Sequence, residues 1–482
     1  MEDLAFLEKK FKIYPASVNA LDDRYCFMAN DGTEDLLCVT GNAADFPGEA
    51  HHEDGQDYML CRLTHEAAEF LRAHYSFTVP APVLDRKATF GVGDRLGLAA
   101  PGHLRVFSEY EVLPILAQQS MRELTLTHRK MADVIDTASF AVFRAGYRCG
   151  FGADGDHLKK MDEIGDSIAC GCSMITLDCS EYIDNDAAVM SDAEIEKLYQ
   201  ADEKIEKRYL GRDFELSPDV TLTYDAAQLH RIVCVYSKAL GFIEQVYAAH
   251  IAPAKGRVSF EISIDETLTV TSPLAHYFVA NELKVRGIRF DTIAPRFPGE
   301  FQKGIEYIGD LDSFRREIHI HAAISKYFGY KLSVHSGSDK FSVFPIVAEE
   351  TEGRFHVKTS GTNWLEAVRV VALNDAKLFR AIYALAYETF EENRKSYHVT
   401  PDLSTIPDVE KIKDSDLITL LDLAASRQVL HISYGKILET PALREGLFRV
   451  LREHQQDYSD MLYRHIGHHA SALCIPKRAI AE

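Results

Sequence analysis

The feature that most constrains the fold is a recurring pattern in which a short apolar run stops at Asp, Glu, His or Lys beside a Gly or Pro, and helix-like sequence follows. Tyr330–Ser342, YKLSVHSGSDKFS, shows it well: Leu332 and Val334 alternate with Ser333 and His335 before Gly337 breaks the run. Alternation with period two marks a strand, and the glycine marks its end. Similar runs occur at Thr89–Gly97, Arg148–His157, Met174–Asp178, Val258–Glu266, Ile288–Ala294, Arg354–Thr359 and Val429–Tyr434, while Val112–Val134 reads as helix. Eight strand–helix units predict an α/β fold, a (β/α)8 barrel of the TIM type, whose strand ends converge on one face. An open doubly wound sheet is the alternative, because pattern does not show closure.

The repeats begin only near residue 88, so 1–87 is read as a flanking or cap region and 88–482 as the barrel domain. About 181–255, after the third predicted strand, is too long for one crossover and predicts a helical insertion. A formal net charge of −20 argues against nucleic acid or an anionic membrane as the main partner. No run approaches the roughly 18 apolar residues of a membrane span. The opening MEDLAFLEKK lacks the basic start of a signal peptide, and nine scattered cysteines do not form a disulfide framework. Both point to the cytoplasm.

The predicted strand ends bring together Asp94, Arg95, Asp154, Asp156, His157, Asp178, Glu266, Arg296, Gln302, His335, Asp339, Lys340, Lys358 and Thr359. Such a set is rich in acid–base groups and metal ligands and contains no evident activated nucleophile. His157 and His335 suit a catalytic divalent ion, although a hydrogen-bonded structural role is the commoner fate of any one histidine. Asp156 and Glu266 form a candidate acid–base pair, against the plainer reading of caps or ion pairs. Arg95, Arg296, Lys340 and Lys358 are candidates for a carboxylate or phosphate clamp. Gly150–Gly155, GFGADG, matches G-x-G-x-x-G, but two aspartates beside it would repel a pyrophosphate, so it reads as a tight turn.

Taken together, Gly93–His103 (GDRLGLAAPGH), Gly152–Lys159 (GADGDHLK), Ser263–Glu266 (SIDE), Val334–Lys340 (VHSGSDK) and His356–Trp364 (HVKTSGTNW) resemble the tagaturonate epimerase family. The resemblance runs from about Thr89 through the barrel and is weaker before Lys87. It implies interconversion of D-tagaturonate and D-fructuronate in hexuronate catabolism, with relatives acting on tagatose and fructose. It also implies a divalent cation, zinc first, with Mn, Co or Ni as alternatives. By motif, Asp156 and Glu266 correspond to proton acceptor and donor, and His157, Gln302 and His335 to metal ligands. Arg95, Arg296, Asp339, Lys340 and Lys358 are then expected around a small keto-uronate or ketose, in a chain whose homo-oligomeric state is open. Rival readings are a metal-dependent aldolase or ketose isomerase, and a non-catalytic sugar-acid-binding protein.

Overall fold

The computed structural model describes residues 4–359 and 361–479. Strands β1 (Lys12–Ile13), β2 (Asn19–Leu21), β3 (Arg24–Asn30), β4 (Asp35–Thr40), β5 (Glu49–Glu53) and β6 (Gln56–Arg62) form an antiparallel sheet in the order β1-β3-β4-β6-β5, with β2 paired to β3. Helix His65–His74 is capped by Thr64, whose side chain accepts from the Ala67 N–H. Its Phe70 and Leu71 pack on Met28, Leu37 and Val39 of the sheet. Phe140 and Phe143, from helix Met131–Ala145, enter the same cluster and fix this flanking region to the barrel wall.

The barrel is closed. After β7 (Ala88–Val92), β8 (Leu113–Ser120), β9 (Gly152–Leu158) and β10 (Met174–Asp178) comes the insertion, with helix Ala226–Val246 and a hairpin of β11 (Asp213–Ser217) and β12 (Val220–Thr223). The chain then returns as β13 (Ser259–Ile264), β14 (Thr292–Pro295), β15 (Lys331–Val334) and β16 (Phe355–Thr359). All neighbours are parallel, and β16 closes on β7 with Phe355 opposite Ala88 and Thr359 opposite Val92.

Eight strands were expected, yet two assignments differ. Leu113–Ser120, read as helix, is the second barrel strand, so the insertion follows the fourth strand rather than the third. Val429–Tyr434, read as the eighth strand, lies in helices Ala424–Ile432 and Tyr434–Glu439. Gln428 through Ile432 are all buried, and a helix buried all round has no period to distinguish it from a buried strand. It belongs to a helical layer after β16 whose core includes Trp364, Val368, Phe379, Tyr383, Leu447 and Leu462.

The glycine run is also corrected: most of GFGADG lies within β9, with no tight turn and no strand-to-helix loop to cradle a pyrophosphate. Packing explains its glycines. A Cβ at Gly152 would sit 2.4 Å from Ile115 Cδ1, and one at Gly155 would sit 2.8 Å from Leu158 Cδ1.

Candidate active site

The inner layer of the barrel is polar. Asp154 on β9, Thr176 on β10, Glu261 on β13 and Lys358 on β16 are all buried. The Lys358 ammonium lies 2.8 Å from Asp154 Oδ2, 2.7 Å from Asp156 Oδ1 and 2.8 Å from Glu261 Oε1. Thr176 Oγ1 donates among the same carboxylates, 3.0 Å from Asp154 and 3.1 Å from Glu261. Buried charges persist only when paired in this way. Burial works to protonate Asp156, but Lys358 and His157 outweigh it and hold the carboxyl down at about 2. Asp154 goes the other way: burial, with Asp156 and Glu261 nearby, overcomes Lys358 and lifts it to about 6.

Above this layer is a cavity of about 320 Å³ bordered by Asp156, His157, Asp178, Glu266, His335 and Lys358. His157 follows inward-facing Asp156 and on a regular strand would face outward. Its φ of 52° places it in the left-handed region, and its ring borders the cavity. Such a backbone costs a non-glycine residue about 1–2 kcal/mol and is typical of functional sites. The two candidate proton carriers flank this imidazole: Asp156 Oδ1 is 3.9 Å from Nε2, and Glu266 Oε1 is 4.0 Å from Nδ1. Their surroundings differ, for the Asp156 side chain is 7% exposed and that of Glu266 is 53% exposed.

His335, from the end of β15, is edge-on to His157 with ring centroids 4.9 Å apart. Its Nε2 is 2.8 Å from Glu261 Oε1, and its Nδ1 is 3.2 Å from Asp265 Oδ2. Although burial opposes a charge on this ring, Asp265 and Glu261 raise it to about 10. His157 is raised as well, by Asp156 and Asp178 against burial.

Three buried atoms at this cavity make only ion-pair contacts without good hydrogen-bond geometry: His157 Nδ1 and Asp178 Oδ2, which face each other at 3.4 Å, and His335 Nδ1, 3.2 Å from Asp265 Oδ2. Imidazoles and carboxylates paired this loosely keep lone pairs that a bound cation could use. His157, Asp178 and Glu266 each direct one donor atom into a space of metal-site size, the donor atoms lying within 4.8 Å of one another. The Glu261 carboxylate on the far nitrogen of His335 is the outer support that metal-bound imidazoles use. Imidazole with carboxylate suits zinc and its neighbours. The same acids that keep protons on the two rings would favour a divalent cation in their place.

Of the residues expected at the site, Asp156, Glu266, His157, His335, Lys358 and Arg95 border this cavity; Gln302, Arg296, Asp339 and Lys340 do not. Arg95 is paired with Glu123 at 2.9 and 2.7 Å and stacks on Tyr434 at 3.8 Å. Gln302 is occupied elsewhere, its Oε1 accepting from Thr400 N–H at 3.0 Å and Gln428 Nε2 at 2.9 Å. Arg296 donates to the Thr267 carbonyl. Lys340 Nζ donates to the carbonyls of Gln302, Ile305 and Ser338, tying two loops together. Asp339 accepts from Arg427 at 2.7 Å. Its N–H donates to His469 Nε2, and His469 Nδ1 in turn donates to the His465 carbonyl. With both nitrogens of His469 used, that second histidine–aspartate group is a clamp between loop and helix.

Sequence reading missed Asp178 as a partner of His157, and Glu261, Asp265, Arg122 and Lys303 altogether. Glu261 left a trace: Ser259, Glu261 and Ser263 alternate with apolar residues, marking an inward polar face.

The sequence profile of the tagaturonate epimerase family matches residues 14–473. A tagaturonate/fructuronate epimerase of Thermotoga maritima is 38% identical over 470 residues, covering 96% of this chain and 97% of that protein. The glycerol-bound crystal structure of a fructuronate-tagaturonate epimerase from Cohnella laeviribosi matches with a TM-score of 0.94 at 44% identity, over 98% of each chain. The native crystal form of that enzyme matches with the same TM-score at 43% identity, again over 98% of each.

Proposed function

Since the chain belongs to the tagaturonate epimerase family, and so is an epimerase, we propose that it interconverts D-tagaturonate and D-fructuronate by breaking and remaking the C3–C4 bond. The observation that carries this reading is the convergence of ligand atoms of His157, Asp178 and Glu266 within 4.8 Å, beside His335 and with Asp156 on the other side of the His157 ring. His157 and Asp178, whose ligand atoms converge, would hold a divalent cation, with His335 beside them as a further candidate ligand. Bound there, it supplies Lewis-acid stabilisation of negative charge developing on substrate oxygens.

The inverted carbon, C4, is β to the C2 ketone, so its C–H bond is not acidified and enolisation cannot invert it. Retro-aldol cleavage can. Asp156, kept ionised by Lys358, takes the proton of the C4 hydroxyl. The C3–C4 electrons move towards C2 and its oxygen, leaving C4 as an aldehyde that keeps its hydrogen. The aldehyde turns, C3 attacks its other face, and Glu266 at the more exposed side returns a proton to the new C4 oxygen. Lys358 stays charged throughout and balances the acids beneath. The alternative route, transient oxidation at C4 by a bound nicotinamide, would need a dinucleotide loop, and GFGADG lies largely within a strand. A cytoplasmic location accords with nine free cysteines. No helix among the described residues is long and apolar enough to cross a membrane.

The test is to strip purified protein with a chelator, restore Zn, Mn, Co or Ni singly, and follow fructuronate from tagaturonate by NMR in deuterated water. Activity lost on stripping and regained with metal, and no deuterium at C4, are expected. Full activity in metal-free protein, a requirement for added NAD, or deuterium at C4 would each overturn the mechanism.

A further inference from the structure

We infer that Lys303 and Arg122 bind the carboxylate at C6 of the substrate and give the pocket its preference for a uronate over a neutral sugar. The inference rests on the keto-uronate reading and starts from how each cation at the cavity is used. Lys358 is matched by three carboxylates and Arg95 by Glu123. Lys159 faces Asp178 at 3.5 Å, and Lys160 faces Glu163 at 3.3 Å. Lys303 and Arg122 border the same cavity and, among the described residues, form no ion pair. Lys303 Nζ donates to Ser336 Oγ at 2.7 Å. Arg122 donates to the Ser396 carbonyl at 3.2 Å and lies over the Tyr397 ring at 4.5 Å, which orients its guanidinium, while Glu123 and Glu266 act on it only from beyond ion-pair distance.

Two cations at one small cavity repel each other more strongly than they would in water. Burial, and after it the charge of Arg122, lowers the affinity of Lys303 for its proton, so the two side chains feel one another. An anion between them removes that cost. A carboxylate suits the pair, since a guanidinium can bind both of its oxygens while an ammonium adds a further hydrogen bond. Elsewhere in the wall the cations Arg95, Lys159, Lys160 and Lys358 are already paired with acids, and Asp156, Asp178 and Glu266 on the histidine side would repel a carboxylate placed there. The substrate's two ends are thereby distinguished: carbonyl and hydroxyls towards the histidines, carboxylate towards Lys303 and Arg122. In the proposed cleavage C6 stays on the aldehyde fragment, so an anchor at C6 retains that fragment while C4 turns.

The experiment uses metal-loaded protein carrying Asp156→Asn to stop turnover, alone and combined with Lys303→Gln or Arg122→Gln. Binding of D-tagaturonate and of neutral D-tagatose is measured by calorimetry. Each substitution is expected to weaken tagaturonate about 10- to 100-fold while changing tagatose by less than about threefold, the scale of a lost charge-assisted hydrogen bond. Lys303→Arg should recover most of the loss. With Asp156 intact, KM for tagaturonate should rise far more than kcat falls. Equal weakening of both sugars, or unchanged uronate binding, overturns the inference. If tagaturonate is epimerised normally by the Lys303 and Arg122 variants, the inference fails and the epimerase reading stands. If those residues select for the carboxylate but wild-type protein does not epimerise tagaturonate, the reverse holds.

Discussion

Replacing Lys358 by Met removes the one ammonium that sits within 2.8 Å of Asp154, Asp156 and Glu261. Breaking a buried ion pair costs about 3–5 kcal/mol. Here a ceiling can be worked out, because one added proton would restore the net charge of the cluster. Protonating an aspartate of ordinary pKa, about 3.9, costs about 4.9 kcal/mol near pH 7.5 and about 1.5 kcal/mol near pH 5. The variant should therefore lose about 3–5 kcal/mol near pH 7.5 and only about 1.5 kcal/mol near pH 5. The sign follows from linkage. Without Lys358 a carboxyl in this cluster has a folded pKa above its unfolded one, so its stabilising contribution is complete below the unfolded pKa and disappears as pH rises through the raised value. In the wild-type chain Asp156 is held down at about 2 and stays ionised across that window, while Asp154, lifted to about 6, takes a proton within it in both proteins, so the comparison reads the one further proton the variant binds. Urea unfolding of both proteins at the two pH values, followed by circular dichroism, reads the difference. A deficit equal at both pH values, or larger in acid, would refute the idea that Lys358 is there to balance buried acids.

Gln302→Met should leave the bound metal content, measured by plasma mass spectrometry, unchanged while lowering stability by about 1–3 kcal/mol, because Thr400 N–H and the Gln428 amide lose their acceptor. Loss of metal with stability intact would make the amide a ligand, as the family motif implies. Lys340→Met leaves three carbonyls without a donor and should cost about 3 kcal/mol. Hydrogen exchange should quicken around 302–305 with KM for the substrate little altered; a large rise in KM at full stability would return Lys340 to the site.

The barrel was legible because its strands stop at polar residues next to glycine or proline, which is how a parallel strand delivers side chains to one face. The count of eight came out through two compensating differences of related origin. Leu113–Ser120 carries Pro114 and ends in Gln118, Gln119 and Ser120, so its apolar part is short and merges with the following helix. In Gln428–Ile432 burial on every side erases the helical period. A single sequence shows which positions avoid water, and only where one side of an element faces solvent does the spacing reveal its geometry.

At the site the same division appears between local and distant information. Asp156, His157, His335 and Glu266 could be found because each sits at a strand end in a distinctive motif, and the chain's own geometry carries such residues to the pocket. Whether a charge is free is a different kind of fact. Lys358 meets Asp156 across 202 positions of sequence, and Arg95 meets Glu123 across 28. Lys340 meets only carbonyl oxygens, which every residue has and no sequence pattern marks. A basic residue at a strand end therefore looks alike whether it balances an internal acid, ties two loops together, or waits for a substrate. Lys303 and Arg122 stand out only after every other cation at the cavity has been assigned its partner. For that reason the substrate's anionic end is assigned here from what the folded chain leaves unmatched, with residue type alone pointing elsewhere.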